Sequence, residues 1–207
     1  LVQAGMPELE AMTLKGVYDR GQPLVQLGIV IASSLSLAIV PLIAFKSKNL
    51  NGRGANPFTQ LTYRASLIFG FAAALGLMLV MPDVNTMLFK TDALSSVLIL
   101  YVLQIVPLSI ILTFTAILQG YSKLLVPTLI LVGAIVMKCI GNILFIDSAG
   151  LMGVAVASNA ALFSAALLLI MYLKKFQKLK LATFTFYKQL TLASLAMVIV
   201  VKGGALL

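Results

Sequence analysis

The sequence has no histidine, no tryptophan, a single cysteine and only six acidic residues among 207. A disulfide within the chain and a histidine- or cysteine-rich metal site are therefore excluded. A Ser/His/Asp or Cys/His catalytic set cannot be built from these residues alone. We therefore expect no enzymatic activity, no bound metal and no cofactor.

The residues that are present are mostly apolar: 61% are hydrophobic, 10% are charged, and the mean hydropathy is +1.08. A soluble domain has about a quarter of its residues charged and roughly half apolar. The net charge of +9 comes from 15 Lys and Arg against 6 Asp and Glu. In so apolar a chain this excess indicates basic membrane loops rather than nucleic-acid binding. The composition predicts an all-α, polytopic transmembrane helical bundle.

Stretches without charge mark candidate membrane spans, since about 20 helical residues cross the hydrocarbon core. Six ranges are free or nearly free of charge: 21–45, 60–82, 93–120, 124–146, 149–173 and 189–207. The charged residues inside them are Arg64 near the start of the second, Lys138 in the fourth and Lys202 in the sixth. Pro107 near the middle of the third predicts a kink or tilt there. Residues 1–18 are predicted to be an outer loop or interfacial segment, ahead of a six-helix bundle over 19–207. Because the chain opens without an initiator Met and stops in an apolar run, we expect a piece of a longer chain.

The charged residues sort by sign between alternate loops. Ten basic and no acidic residues fall in or beside segments 46–58, 120–123 and 174–188, and all six acidic residues fall on the other side. Since cytoplasmic loops carry the Lys/Arg excess, we predict that the N-terminal end lies outside. Segment 174–188 also contains aromatic residues; it is either an ordinary positive loop or a surface for an anionic leaflet or an acidic partner.

Lys138 is the most unusual polar residue, because it lies inside the fourth predicted span. A charge at mid-bilayer costs about 2.5–3.5 kcal/mol even on the gentle insertion scale. Asn142 follows four residues later, on the same face of the helix. Two interpretations stay open: a buried cation that stabilises packing, or a fixed cation in a transport pathway.

Asp19 and Arg20 lie at the outer entrance of the first predicted span. One interpretation is an interfacial ion pair or helix-start signal, since Asp favours a helix N-terminus. The other is an Arg that turns inward toward an anionic substrate, because guanidinium binds phosphate oxygens in pairs. The spacing favours neither.

The other polar residues in or near the spans are predicted to form hydrogen bonds between helices, as such groups commonly do in membranes. They are Gln104, Gln119, Ser158 and Asn159. Five glycines, Gly70, Gly76, Gly133, Gly141 and Gly153, are predicted to mark close helix contacts.

Five segments carry a resemblance to a known family. They are GVYDRGQPLVQLG at 16–28, ASSLSLAIVPLI at 32–43, MPDVNTMLF at 81–89, ILQGYSK at 117–123 and KCIGN at 138–142. With these segments the chain resembles the MurJ-type lipid II flippases and the related stage V sporulation protein B. Both belong to the polysaccharide-exporter branch of the multidrug/oligosaccharidyl-lipid/polysaccharide flippase superfamily.

The resemblance implies a two-lobe transporter of fourteen helices in a bacterial cytoplasmic membrane, with this chain as helices eight to thirteen of the C-terminal lobe. It implies alternating-access flipping of an undecaprenyl-pyrophosphate-linked sugar, as in lipid II, for cell-wall biogenesis. The implied partners are this substrate, the bilayer and the N-terminal lobe of the same chain.

The resemblance also suggests a substrate-binding set, which comprises Arg20, Asp19, Lys138 and Asn142. Arg20 matches the position of an arginine in the family's cationic cavity. Some members hold a sodium ion near the helix that corresponds to the one carrying Lys138, and we hypothesise that Lys138 replaces it as a tethered cation. The alternatives are a cation-coupled multidrug exporter of the same superfamily and a membrane scaffold without transport.

Overall fold

The computed structural model describes residues 7–49, 57–90, 94–177 and 184–204, and all regular secondary structure in these ranges is helical. The helices are α1 Glu8–Asp19, α2 Gly21–Asn49, α3 Pro57–Phe89, α4 Ser95–Val102, α5 Ile105–Gly120, α6 Leu125–Gln177 and α7 Phe184–Gly204. The predicted all-α class is confirmed.

Among the described residues, three helical stretches are long and apolar enough to cross a membrane: Thr59–Phe89, Ser95–Gly120 and Leu125–Phe176. The six ranges predicted as spans fall on α2 to α7, and the end of the sixth lies outside the described residues. That each of them crosses a membrane stays a prediction.

Helix α6 is a hairpin of two arms. Its 53 residues would extend about 80 Å as one straight helix, far more than one bilayer core. Gly150 breaks it with φ +54 and ψ −139, a conformation that L side chains rarely adopt. The arms, 125–149 and 151–177, then pack on each other, and a Cβ added at Gly141 would lie 2.9 Å from the Cβ of Ala157.

The third predicted span is broken into α4 and α5 at Leu103 and Gln104. Pro107 lies four residues after Leu103, so it has no N–H to donate to the Leu103 carbonyl, and its ring would clash with that oxygen. The Leu103 carbonyl accepts from the Val106 N–H at 3.3 Å instead. The regular helical hydrogen bonding is thus interrupted where the sequence predicts a kink or tilt, while Leu103 and Gln104 keep helical backbone angles.

Asn159, on the second arm of α6, stabilises this break. The Gln104 N–H donates to the Tyr101 carbonyl at 3.2 Å. It therefore does not donate to the Leu100 carbonyl, four residues earlier, as it would in a regular α-helix. The Asn159 Nδ2 donates to the Leu100 carbonyl at 2.8 Å and to the Ala155 carbonyl at 2.9 Å. The interhelical hydrogen bond predicted for Asn159 is confirmed.

A proline also lies beside the junction of α1 and α2. Helix α1 ends at Asp19, four residues before Pro23, so the same steric rule separates the two helices. Most of the segment predicted to be an outer loop or interfacial segment is therefore helical, while residues 1–6 of it lie outside the described range.

Close pairs across the interfaces give the direction of each helix. Helix α2 contacts α4–α5 through Gly21–Tyr101 and Gly120–Ile43, and the second arm contacts α4–α5 through Asn159–Leu100 and Tyr121–Phe176. Helix α3 contacts α5 through Ser66–Thr113 and Gly70–Ser109. It contacts α7 through Gly76–Met197 and Arg64–Phe186. Helices α2, α4, α5 and the second arm point one way, and α3, the first arm and α7 point the other way.

This alternation separates the charges by sign. One end of the bundle, the basic end, carries Arg64, Lys123, Lys174, Lys175 and Lys188; the opposite end, the acidic end, carries Glu8, Asp19, Asp83 and Asp147, with Lys15, Arg20 and Lys90 beside them. The side chains predicted for the loops at Lys46, Lys48, Arg53, Lys178 and Lys180 lie outside the described set. That the basic end faces the cytoplasm stays a prediction.

Helix α5 lies at the centre of the bundle. Its side chains Phe114, Ile117 and Leu118 are fully buried, and α5 packs against α2, α3 and α6. The first arm of α6, by contrast, exposes large apolar side chains such as Leu129 and Ile143, as a surface in contact with lipid does.

Four of the five glycines predicted to mark close contacts do so; for Gly133, no described residue lies within 4 Å of a Cβ built there. Gly133 and Gly141 lie on the same arm and form a matched pair.

We expect Gly141→Ala to lower the free energy of unfolding by about 1–3 kcal/mol, because the new methyl group would force the two arms apart. Thermal unfolding of both variants tests this: Gly133→Ala should be neutral or stabilising, and equal effects at the two positions would contradict the close contact.

Candidate functional site

A cavity of about 590 Å³ opens at the acidic end, between α1 and the tip of the α6 hairpin. It is lined by Glu8, Ala11, Met12, Lys15, Tyr18 and Asp19 from α1 and by Asn142, Ile146, Leu151 and Val154 from α6. The α1 residues recur every three or four positions and so form one face of that helix. Apolar walls with a few polar groups, at this volume, are typical of a small-molecule site.

Two of the four predicted site residues, Asp19 and Asn142, meet in this cavity. The Asn142 Oδ1 is buried and has no hydrogen-bond partner among the described residues. A buried acceptor without a partner costs about 1–3 kcal/mol, so a donor from a bound molecule or water would be favourable there.

Tyr18 forms the inner wall of the cavity and joins α1 to the bundle. Its ring lies edge-on to the ring of Tyr101, with centroids 4.8 Å apart and an interplanar angle of 88°. Burial, with Tyr101 beside it, raises the pKa of the Tyr18 phenol to about 12. The phenol is therefore neutral at physiological pH and can donate a hydrogen bond.

Arg20 points away from the cavity, toward the end of α3. Its guanidinium carbon lies 4.6 Å from the centroid of the Phe89 ring. The Nη1 atom is buried and has no hydrogen-bond partner in the described structure. A guanidinium that stacks on an aromatic ring keeps its N–H groups free for an anion.

Lys138 is exposed on the first arm of α6, about halfway along the bundle. Its neighbour Met137 accepts a hydrogen bond from Ser164 at 3.4 Å. Asn159 bonds Leu100, five residues beyond the start of α4 at the acidic end. Ser164 lies five residues, or about 7 Å, closer to the basic end than Asn159. This depth agrees with the mid-span position predicted for Lys138.

A second cavity, of about 290 Å³, lies toward the basic end between α2, α5 and the first arm of α6, with Leu131 in its wall. Leu131, Lys138 and Asn142 are spaced by seven and four residues and share one face of the arm. Lys138 therefore lies on the stripe that runs from one cavity to the other, although it lines neither.

The structure thus brings together only part of the predicted set. Asp19 and Asn142 share a cavity. Arg20 lies at the α1–α2 junction and faces Phe89 of α3, and Lys138 lies between the two cavities. The described residues contain no group of three or more Cys, Asp or Glu side chains that could hold a metal ion.

Several polar residues have roles that the sequence did not show. Among the described residues, the buried Gln104 has no hydrogen-bond partner for its Nε2 at the α4–α5 break, and Gln119 is exposed and bonds no other helix. Tyr18 was not among the predicted site residues. Its position directly before Asp19 and Arg20, at the entrance of a predicted span, could have indicated it.

The chain is similar to a curated protein, the "Uncharacterized membrane protein YabM" of Bacillus subtilis (strain 168), with 33% identity over 161 residues. The match covers 78% of this chain but only 30% of that protein. No family model matches the chain, and no solved structure matches it. The similarity and the three long apolar helices together indicate an integral membrane protein.

Proposed function

We propose that this chain is part of a flippase that moves a lipid-linked oligosaccharide across the bacterial cytoplasmic membrane. The substrate would be an undecaprenyl-pyrophosphate-linked sugar, with lipid II as the first candidate, and the mechanism would be alternating access. The N-terminal lobe of a longer chain would supply the other half of the pathway.

The observation that carries the proposal is the state of Arg20. Its Nη1 is buried and has no hydrogen-bond partner among the described residues, and the guanidinium lies over the Phe89 ring. Phosphate oxygens match a guanidinium two at a time, and such charge-assisted bonds are about twice as strong as neutral ones. A pyrophosphate at this end of the bundle would therefore satisfy the unpaired donor.

Two further features support a transport pathway. Helices α4 and α5 form a span whose regular hydrogen bonding is interrupted inside the bundle, where Asn159 bonds the Leu100 carbonyl, and transporters build their substrate sites from interrupted helices. Lys138 lies at similar depth on the stripe between the two cavities. An intramembrane cation in that position favours the passage of an anionic headgroup.

Arg20→Ala in the full-length protein tests the proposal. We expect loss of complementation in a flippase-depleted strain, at unchanged protein level, with lipid-linked precursor accumulating on the inner leaflet, because the anion loses its paired donors. Arg20→Lys should restore only part of the activity, since an ammonium cannot bind two oxygens in parallel.

Lys90→Ala is the matched control, since Lys90 is exposed at the same end of the bundle. It should grow like wild type. Normal growth of the Arg20→Ala strain would remove Arg20 from the site and with it the main support for a phosphate-bearing substrate.

A cation-coupled multidrug exporter is the second candidate, because Glu8 and Asp19 place two carboxylates in the cavity at the acidic end. A strain that lacks the protein would then be sensitive to cationic dyes, and Asp19→Asn would reproduce that sensitivity. A scaffold without transport predicts that neither Arg20→Ala nor Asp19→Asn changes any export.

A further inference from the structure

Three aromatic rings form a cluster at the basic end, where α5 ends beside the last turns of α6. The ring of Tyr121 lies edge-on to that of Phe176, with centroids 5.7 Å apart, and the ring of Tyr172 stacks on Phe176 at 6.0 Å with an interplanar angle of 11°. Phe176 is 37% exposed, so the cluster presents a face to its surroundings.

Two lysines flank this cluster. The chain turns at Ser122, whose φ is +56°, and the Lys123 N–H donates to the Leu118 carbonyl at 2.8 Å, so the backbone of Lys123 is held two residues beyond Tyr121. Lys175 lies three residues after Tyr172 and so on the same side of the helix. Both lysine side chains are exposed.

Lys174 has the same charge as Lys175 and lies at nearly the same depth, but its side chain points in a different direction. It lies two positions from both Tyr172 and Phe176, and residues two apart in a helix do not face each other. Its exposed side chain therefore points away from the aromatic cluster. Comparing substitutions at Lys174 and Lys175 therefore distinguishes a specific binding site from a general effect of positive charge.

We propose that Tyr121, Tyr172 and Phe176, with Lys123 and Lys175, bind the headgroup of an anionic phospholipid. Tyrosine rings are enriched at the level of lipid headgroups, and lysine ammonium groups bind their phosphates. The described residues at this end include no carboxylate that would compete for the two lysines.

The surroundings of the cluster favour a lipid over a soluble anion or a protein. Leu124 and Leu125, which follow Lys123 directly, are 57% and 77% exposed. Strongly exposed leucines beside exposed lysines need a partner with an apolar part and an anionic part side by side. An anionic phospholipid at the membrane interface offers both.

Native mass spectrometry of the full-length protein, released from a non-ionic detergent, tests the site. We expect phosphatidylglycerol to be retained in preference to phosphatidylcholine with the same acyl chains. Lys123→Ala and Lys175→Ala should each weaken the retention of phosphatidylglycerol about fivefold, the loss expected for one lysine at an anionic surface. Lys174→Ala should bind like wild type, and inorganic phosphate at equal concentration should not displace the lipid.

Three results would overturn the proposal. Equal losses in Lys174→Ala and Lys175→Ala would show a response to net charge alone. Equal retention of the two lipids would show that no anionic headgroup is selected, and displacement by inorganic phosphate would indicate a small-anion site. Since the three lysines are exposed, unchanged thermal unfolding of the variants checks that their folds are intact. The assay does not depend on flipping, so its outcome is separate from that of the proposed function.

Discussion

The substitution Asn159→Asp is expected to destabilise the protein by about 3 kcal/mol or more, although the side chain keeps its shape. Asn159 is only 7% exposed, and its Nδ2 donates to the carbonyls of Leu100 and Ala155. An aspartate would place oxygens of the same partial charge against both carbonyls. A buried carboxylate without a partner costs several kcal/mol and would be forced to take up a proton.

A neutral substitution separates the hydrogen bond from the charge. Asn159→Leu removes the donors without adding a charge, so it should cost about 1–2 kcal/mol, which is the range for leaving the Leu100 carbonyl unsatisfied inside a membrane bundle. The expected order of stability is therefore wild type, then Asn159→Leu, then Asn159→Asp.

Thermal unfolding of the full-length protein in lipid nanodiscs measures this order. Gln119→Glu is the matched control, because it makes the same amide-to-acid change at an exposed position at the other end of α5. It should shift the unfolding temperature little. An Asn159→Asp variant as stable as Gln119→Glu would contradict the role assigned to Asn159 at the break.

The sequence predicted the helices well because their signal is local. Apolar runs with little charge fall on helices, and Pro107 and Pro23 each lie four residues after a helix junction, where proline lacks the N–H donor. Pro41 and Pro82 lie inside α2 and α3 without such a junction, so proline alone does not decide where a helix ends. The sequence did not predict which buried group would bond the freed Leu100 carbonyl. That pairing joins positions 59 residues apart and depends on how the hairpin packs.

The candidate site was harder to predict for the same reason. Asp19 and Arg20 are adjacent in sequence, yet one lines the cavity and the other stacks on Phe89, because successive side chains of a helix point about 100° apart. Gly133 and Gly141 look alike in the sequence, but only Gly141 faces the second arm. Side-chain direction relative to a neighbouring helix is a tertiary property.

Lys138→Met is expected to change stability and transport in opposite directions. Lys138 lies about halfway along the bundle and is exposed on the same side of the helix as the large, exposed Ile135, three residues earlier. A lysine at such a depth costs about 2.5–3.5 kcal/mol, so methionine, of similar length, should raise the free energy of unfolding by up to that amount. If Lys138 supplies a cation in the transport pathway, export by the variant should be lost.

The two readouts together distinguish the interpretations of Lys138. Unfolding in nanodiscs and complementation of a flippase-depleted strain are measured on the same variant, with Lys174→Met as the control for losing a charge at the membrane surface. A less stable Lys138→Met protein would show that the ammonium stabilises packing, as the scaffold interpretation holds. A more stable variant with normal export would exclude Lys138 from the pathway.

If Lys138 acts in place of a sodium ion, wild-type transport should not depend on sodium, and a strong sodium dependence would contradict that role.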